Sequence, residues 1–101
     1  MLDIWLSEPL SKAHIDHVKA CVYTRLNVLK EVEQTFLPHG LTVVFILSES
    51  PFSMHTYPEH NYLSLDCYVC NPTVNLDALA TDILDELPHR RVEQKEHHRG
   101  D

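Results

Sequence analysis

The sequence has no run of lysine or arginine longer than two residues, and its formal net charge is -7 with histidine neutral. Phosphate backbones are held by basic patches, so the balance argues against nucleic acid as the main ligand. It suits a small cationic or zwitterionic ligand. No apolar stretch approaches the roughly 18 residues that a membrane span needs. The opening MLDIWLSEP is acidic and lacks a basic segment followed by a cleavage site, so no secretory leader is expected. There are only three cysteines, an odd number without framework spacing, and a reducing, cytoplasmic location is expected. Repeats and low-complexity segments are absent. The closing EHHRGD is polar and is expected to fray.

The chain has 101 residues, 44% of them hydrophobic, which suits one domain over residues 1–101 with a real core. A domain of this size buries a limited share of its surface, so a second subunit would help it. MLDIWL reads as a short strand. Residues 11–25 place Ile15, Val18 and Val22 at helical spacing behind a Ser11 cap. LNVLKEVEQTF reads as a half-exposed strand, with Val28, Val32 and Phe36 on one face. LPHG is a turn, and LTVVFIL is a central strand. The stretch PFSMHTYPEH reads as a connection. NYLSLDCYVC alternates, with Leu63, Leu65, Cys67 and Val69 against Tyr62, Ser64, Asp66, Tyr68 and Cys70. NLDALATDILDEL is an amphipathic helix with Asn75 able to cap it and Pro88 ending it, and HRRVEQKEH is an edge strand. The expected fold is α+β: a two-layer sandwich of an antiparallel sheet with two helices on one face, in the order β-α-β-β-β-α-β. The other sheet face must meet something else.

Cys67 and Cys70 form a C-x-x-C pair. Residues three apart on a strand point to opposite faces, and no second ligand pair is evident, so no metal site is expected. Cys67 falls on the core face, and Cys70 is the thiol free to act. Six of the eight histidines, at positions 14, 17, 60, 89, 97 and 98, lie in polar settings and read as solvated. His39 lies in a turn. His55 differs, because it follows Ser50 and precedes TYPE. No G-x-S-x-G surrounds Ser50, so a hydrolase elbow is excluded. A serine in a post-strand turn has another use. Its hydroxyl can attack the preceding carbonyl to give an ester. Removal of its α-proton then cuts the chain and leaves a pyruvoyl group, a ketone that serves as an electron sink.

The stretch FLPHGLTVVFILSESPFSMHTYPEHNYLSLDCYVC, with NLDALATDILDEL and RRVEQKEHHRG after it, resembles the small bacterial and archaeal S-adenosylmethionine decarboxylase proenzymes, a pyruvoyl-dependent family. Their signature has E-S-H, then H-T-W-P-E, then a strand carrying a cysteine. The resemblance covers nearly the whole chain, apart from a shortened first strand and first helix. It implies self-cleavage between Glu49 and Ser50 into a β chain (1–49) and an α chain (50–101), with Ser50 becoming the pyruvoyl group that joins the substrate amine as a Schiff base. It implies that His55 moves a proton during processing, that Cys70 returns a proton to the substrate carbon, that Phe36 stacks on the adenine and that Glu59 holds the ribose hydroxyls. Free histidine titrates near about 6.5 and free cysteine near about 8.5, values that suit a base and a proton donor.

Four positions depart from the signature. Thr42 stands for a processing serine and keeps the hydroxyl on a stiffer side chain. Pro51 stands for the histidine after the cleavage serine, Tyr57 for a tryptophan, and Asn61 for a glycine. The implied activity is decarboxylation of S-adenosylmethionine for polyamine (spermidine) synthesis. Two alternatives stay open: decarboxylation of L-arginine or L-ornithine by the same chemistry, and an uncleaved, non-catalytic relative. A homodimer of processed protomers is expected, because helices cover only one sheet face.

Overall fold

The computed structural model describes residues 2–36, 40–47, 51–67 and 76–94, the side chain of Leu76 excepted. The described elements are β1 (Leu2–Leu6), α1 (Lys12–Arg25), β2 (Val28–Thr35), β3 (Leu41–Leu47), β4 (Pro51–Tyr57), β5 (Tyr62–Cys67), α2 (Leu76–Asp85) and β6 (His89–Gln94). A single 3-10 turn, Pro58–His60, links β4 to β5. The six strands form one sheet in the order β2-β3-β4-β5-β1-β6, and every neighbouring pair is antiparallel. The two-layer α+β architecture is the expected one.

The element order is corrected by one strand. Residues 51–57, read as a connection, form β4 in the interior of the sheet between β3 and β5. Their alternation is complete: Phe52, Met54 and Thr56 are buried, while Pro51 and Tyr57 are exposed. The inward Thr56 is tolerated because its hydroxyl accepts a hydrogen bond from the Leu41 N–H at 3.0 Å. A second correction concerns β2. Val28 opposes Leu47, but Lys30 opposes Ile46, so one extra residue bulges between them. The bulge sends Val28 to the core and leaves Val32 45% exposed on the other face.

The core lies between the sheet and the helices. Ile4, Val43, Phe45, Met54 and Leu63 of the sheet meet Val18 and Val22 of α1 and Leu79 and Ile83 of α2, all nearly or fully buried. Phe45 packs edge-on against Tyr23 and Phe52, with ring centroids 5.9 Å apart in each case. Two histidines expected in solvent belong to this layer instead. Buried His14 accepts the Ser11 N–H on Nδ1 at 3.0 Å, the part a glutamate plays in a capping box, so Ser11 caps α1 as expected. His17 donates from Nε2 to the Ile83 carbonyl at 3.0 Å and so ties α1 to α2.

Cys67 ends β5 on the helix side, opposite Phe52, and packs against the core. Burial pushes its thiol up to about 11. An acid raised in this way is disfavoured in its charged form by the folded state. The unfolded chain ionises first as pH passes about 9, so stability falls between there and about 11. The melting temperature should therefore decline faster over that window in the wild type than in Cys67→Ala. Parallel declines would mean that this thiol is not held neutral by the fold. Phe45→Ala should cost about 3 to 5 kcal/mol in urea unfolding, a large part of the roughly 5–15 kcal/mol of a typical domain. A loss below about 1 kcal/mol would contradict the packing described.

Candidate active site on the uncovered sheet face

Antiparallel register carries side chains of one parity straight across the sheet. On the face away from the helices, Gln34, Thr42, His55, Ser64, Asp3 and Glu93 are successive cross-strand partners from β2 to β6. Within this row Thr42 Oγ1 and His55 Nδ1 are hydrogen-bonded at 2.9 Å. The hydroxyl fixes the direction of the imidazole ring and leaves the other ring nitrogen for a proton. His55 is thus a strand residue rather than a loop residue, and it is half-buried. It meets Thr42, the other residue to which the sequence resemblance assigns a part in processing.

The neighbouring row is aromatic. Tyr57 stacks on Tyr62 with centroids 5.3 Å apart, Tyr62 stacks on Trp5 at 4.8 Å, and the Arg91 guanidinium sits 4.8 Å from the Trp5 centroid. This four-member stack crosses β4, β5, β1 and β6. The Tyr62 hydroxyl donates to Asp3 Oδ1 at 2.6 Å, and Asp3 is only 7% exposed. Burial, reinforced by the Asp3 carboxylate, pushes the Tyr62 phenol up. Asp3, Trp5 and Ser64 were missed as site-face residues or carried no role in the sequence reading. Alternation within LDIWL already separates Asp3 and Trp5 from Leu2, Ile4 and Leu6. Only the pairing of β1 with β5 brings them beside Tyr62 and Ser64.

Phe36 and Glu59 lie at the same end of the sheet. Phe36 follows β2 and donates its N–H to the Gly40 carbonyl at 2.9 Å. Gly40 has φ of +112°, a conformation that favours glycine. Glu59 lies in the exposed 3-10 turn directly after Tyr57. Asn61 closes that turn in the left-handed conformation, with φ of 49°, which asparagine enters more readily than most residues. Its Oδ1 then accepts the Leu10 N–H at 3.1 Å. The substitution of asparagine for the signature glycine is therefore accommodated. Glu49, Ser50 and Cys70 lie outside the described residues, as do His39, Tyr68 and Asn75. Pro51, bonded to Ser50, heads β4 opposite Ile46.

No helix among the described residues is long and apolar enough to cross a membrane. Residues 10–100 match the family model for S-adenosylmethionine decarboxylase. An S-adenosylmethionine decarboxylase proenzyme 2 of Bacillus cereus is 40% identical over 83 residues, spanning 82% of this chain and 68% of that protein. The proenzyme of Brevibacillus brevis is 46% identical over 69 residues, 68% of this chain and half of the relative. The crystal structure of the adenosylmethionine decarboxylase of Aquifex aeolicus superimposes with a TM-score of 0.79 at 25% identity, covering 99% of this chain and 87% of that one. The shared fold and the shared sequence over most of the length point the same way: the chain belongs to the S-adenosylmethionine decarboxylase family.

Proposed function

We propose that this chain cleaves itself between Glu49 and Ser50 and uses the resulting pyruvoyl group to decarboxylate S-adenosylmethionine, feeding polyamine synthesis. By family it is an enzyme, a carboxy-lyase. The observation that carries the reading is the hydrogen bond between Thr42 and His55 on the uncovered face. It supplies an oriented base on the face that the strand beginning at Pro51 shares. The pyruvoyl ketone would act as the electron sink when carbon dioxide leaves. The residues fit such a group: Pro51, the residue bonded to Ser50, heads β4 on the uncovered face. Cys70 is the proposed proton donor to the substrate carbon.

The substrate reading is supported by the aromatic row. Continued past Tyr57, the register leads to Gly40 and then to Phe36. No side chain stands at Gly40, so Phe36 and Tyr57 face a gap of about 10 Å at the backbone, two strand spacings. That gap has room for one flat ring, and both walls are about half exposed, at 52% and 42%. Glu59 follows at the same end, where it can accept from vicinal ribose hydroxyls. An arginine or ornithine substrate would need a free carboxylate on this face. Asp3 is taken by Tyr62 and Glu93 by Arg91, and Asp66, opposite Ser53, stands four residues along β5 from Tyr62, away from the Phe36–Tyr57 gap. The two aromatic walls of that gap favour the nucleoside.

The geometry also supports a second subunit. His55 lies four strand residues from Pro51, about 13 Å away at roughly 3.3 Å per residue. Its imidazole cannot reach the Ser50 of its own chain while β4 stays extended. Val32, Ile46 and Tyr57 are 45%, 41% and 42% exposed on the same face. Two such faces brought together by a two-fold axis would cover this apolar surface and offer each cleavage site the other's His55. A cytoplasmic location belongs to the same proposal, supported by the free thiols of Cys21 and Cys67.

Denaturing mass spectrometry should show two fragments, residues 1–49 and 50–101, the second blocked to Edman chemistry, while Ser50→Ala stays whole. One full-length wild-type species after long incubation would leave the non-catalytic reading standing. Processed enzyme should release carbon dioxide from S-adenosylmethionine far faster than from arginine or ornithine. The reverse order would overturn the substrate assignment. Neither Ser50→Ala nor His55→Ala should cleave alone, but co-refolding them should cut the His55→Ala chains. A mixed dimer that stays uncut would place His55 and Ser50 in one protomer's site.

A further inference from the structure

Pro51 is the exposed first residue of β4 and opposes Ile46 across the β3–β4 pair. It joins Ser50 through a tertiary amide, with no N–H and with φ fixed by the ring. In any chain whose next residue keeps its N–H, a ketone formed at the cleavage serine would have a donor beside it. That N–H points at the ketone oxygen and holds the two carbonyls in one plane. Proline puts Cδ in its place, where the ring methylene crowds the substituents of the preceding residue. The two carbonyls then avoid the ring by turning out of a common plane.

We propose that Pro51 is a positioning residue for the pyruvoyl ketone: it turns the ketone out of the amide plane and offers its oxygen no N–H from the residue that follows. The inference rests on the self-processing reading above. A ketone so placed gives up neither conjugation nor an internal hydrogen bond when an amine adds to its carbon. This chain would then reach an open electrophile through covalent structure rather than through an added donor.

The test compares processed wild type with Pro51→Ala and Pro51→His. Pro51 is exposed, so all three should melt together. The near-ultraviolet dicarbonyl band, read against the uncleaved Ser50→Ala chain, falls at longer wavelength when the carbonyls are coplanar. Wild type should match the small molecule N-pyruvoyl-proline amide, at shorter wavelength than both variants, which should match N-pyruvoyl-alanine amide. Hydroxylamine, whose nitrogen adds to the ketone carbon with loss of water, should trap the wild-type ketone several-fold faster than either variant's. Coincident bands, or trapping no faster in wild type, would overturn the inference while leaving cleavage intact. A wild-type chain that stays whole by mass would defeat the self-processing reading and this inference with it.

Discussion

The register between β3, β4 and β5 is the constraint on which the rest of the molecule depends. Side chains alternate with a period of two, so a slip of one residue in β4 would bury His55 and Tyr57 and expose Phe52 and Met54. The slip is prevented from both sides of the strand. Phe52 and Met54 are almost fully buried against the helices. At the far end the Thr56 hydroxyl is held by Leu41, and Asn61 in its left-handed conformation fixes where β5 begins. Once that register is set, Thr42 and His55 must meet, and Asp3 must fall beside Tyr62 and Ser64. Chemistry on the outer face is thus specified by packing on the inner one.

The sheet order also explains how a chain of this design can survive being cut. Strands β1, β2 and β3 precede Glu49, and β4, β5 and β6 follow Ser50. In the sheet, β1 lies between β5 and β6, while β3 pairs with β4. Each set keeps one strand pair, β2–β3 or β4–β5, and only the two together complete the six-stranded sheet. The core mixes both sets, with Val18, Val22 and Phe45 before the proposed cleavage point and Met54, Leu63 and Ile83 after it. A break in the β3–β4 connection therefore removes one covalent link and none of the strand pairing described here.

Much of this was legible in the sequence, and what was not has physical causes. LTVVFIL and YLSLDC declared themselves by β-branched content and clean alternation, and α2 by its apolar stripe. Strand β4 did not, because Pro51 and Ser53 within it and Pro58 just after it are turn formers by local preference. Its inward Phe52 and Met54 carried the period-two signal, but tertiary pairing on both sides was needed to override the composition. The bulge at Val28 was invisible for the same reason, since a one-residue shift is decided by the partner strand. His14 and His17 were assigned to solvent because their flanks are polar, yet both nitrogens that matter are used by backbone groups. Thr42 and His55 were singled out separately through the family signature, and their contact emerged only from the pairing of β3 with β4. The aromatic row was not legible at all, because its members come from four strands in register.

The central claim is that the uncovered face is a half-site, with His55 too far along β4 to serve its own Ser50. Its most direct test is the rate of self-cleavage against protein concentration. Freshly refolded precursor would be diluted through the range where light scattering shows dimers giving way to monomers, and the fraction cut would be followed by mass. The account predicts a per-molecule rate that falls as dimers disappear and approaches zero for the monomer. A rate that is the same at every concentration, including where only monomer is present, would contradict it.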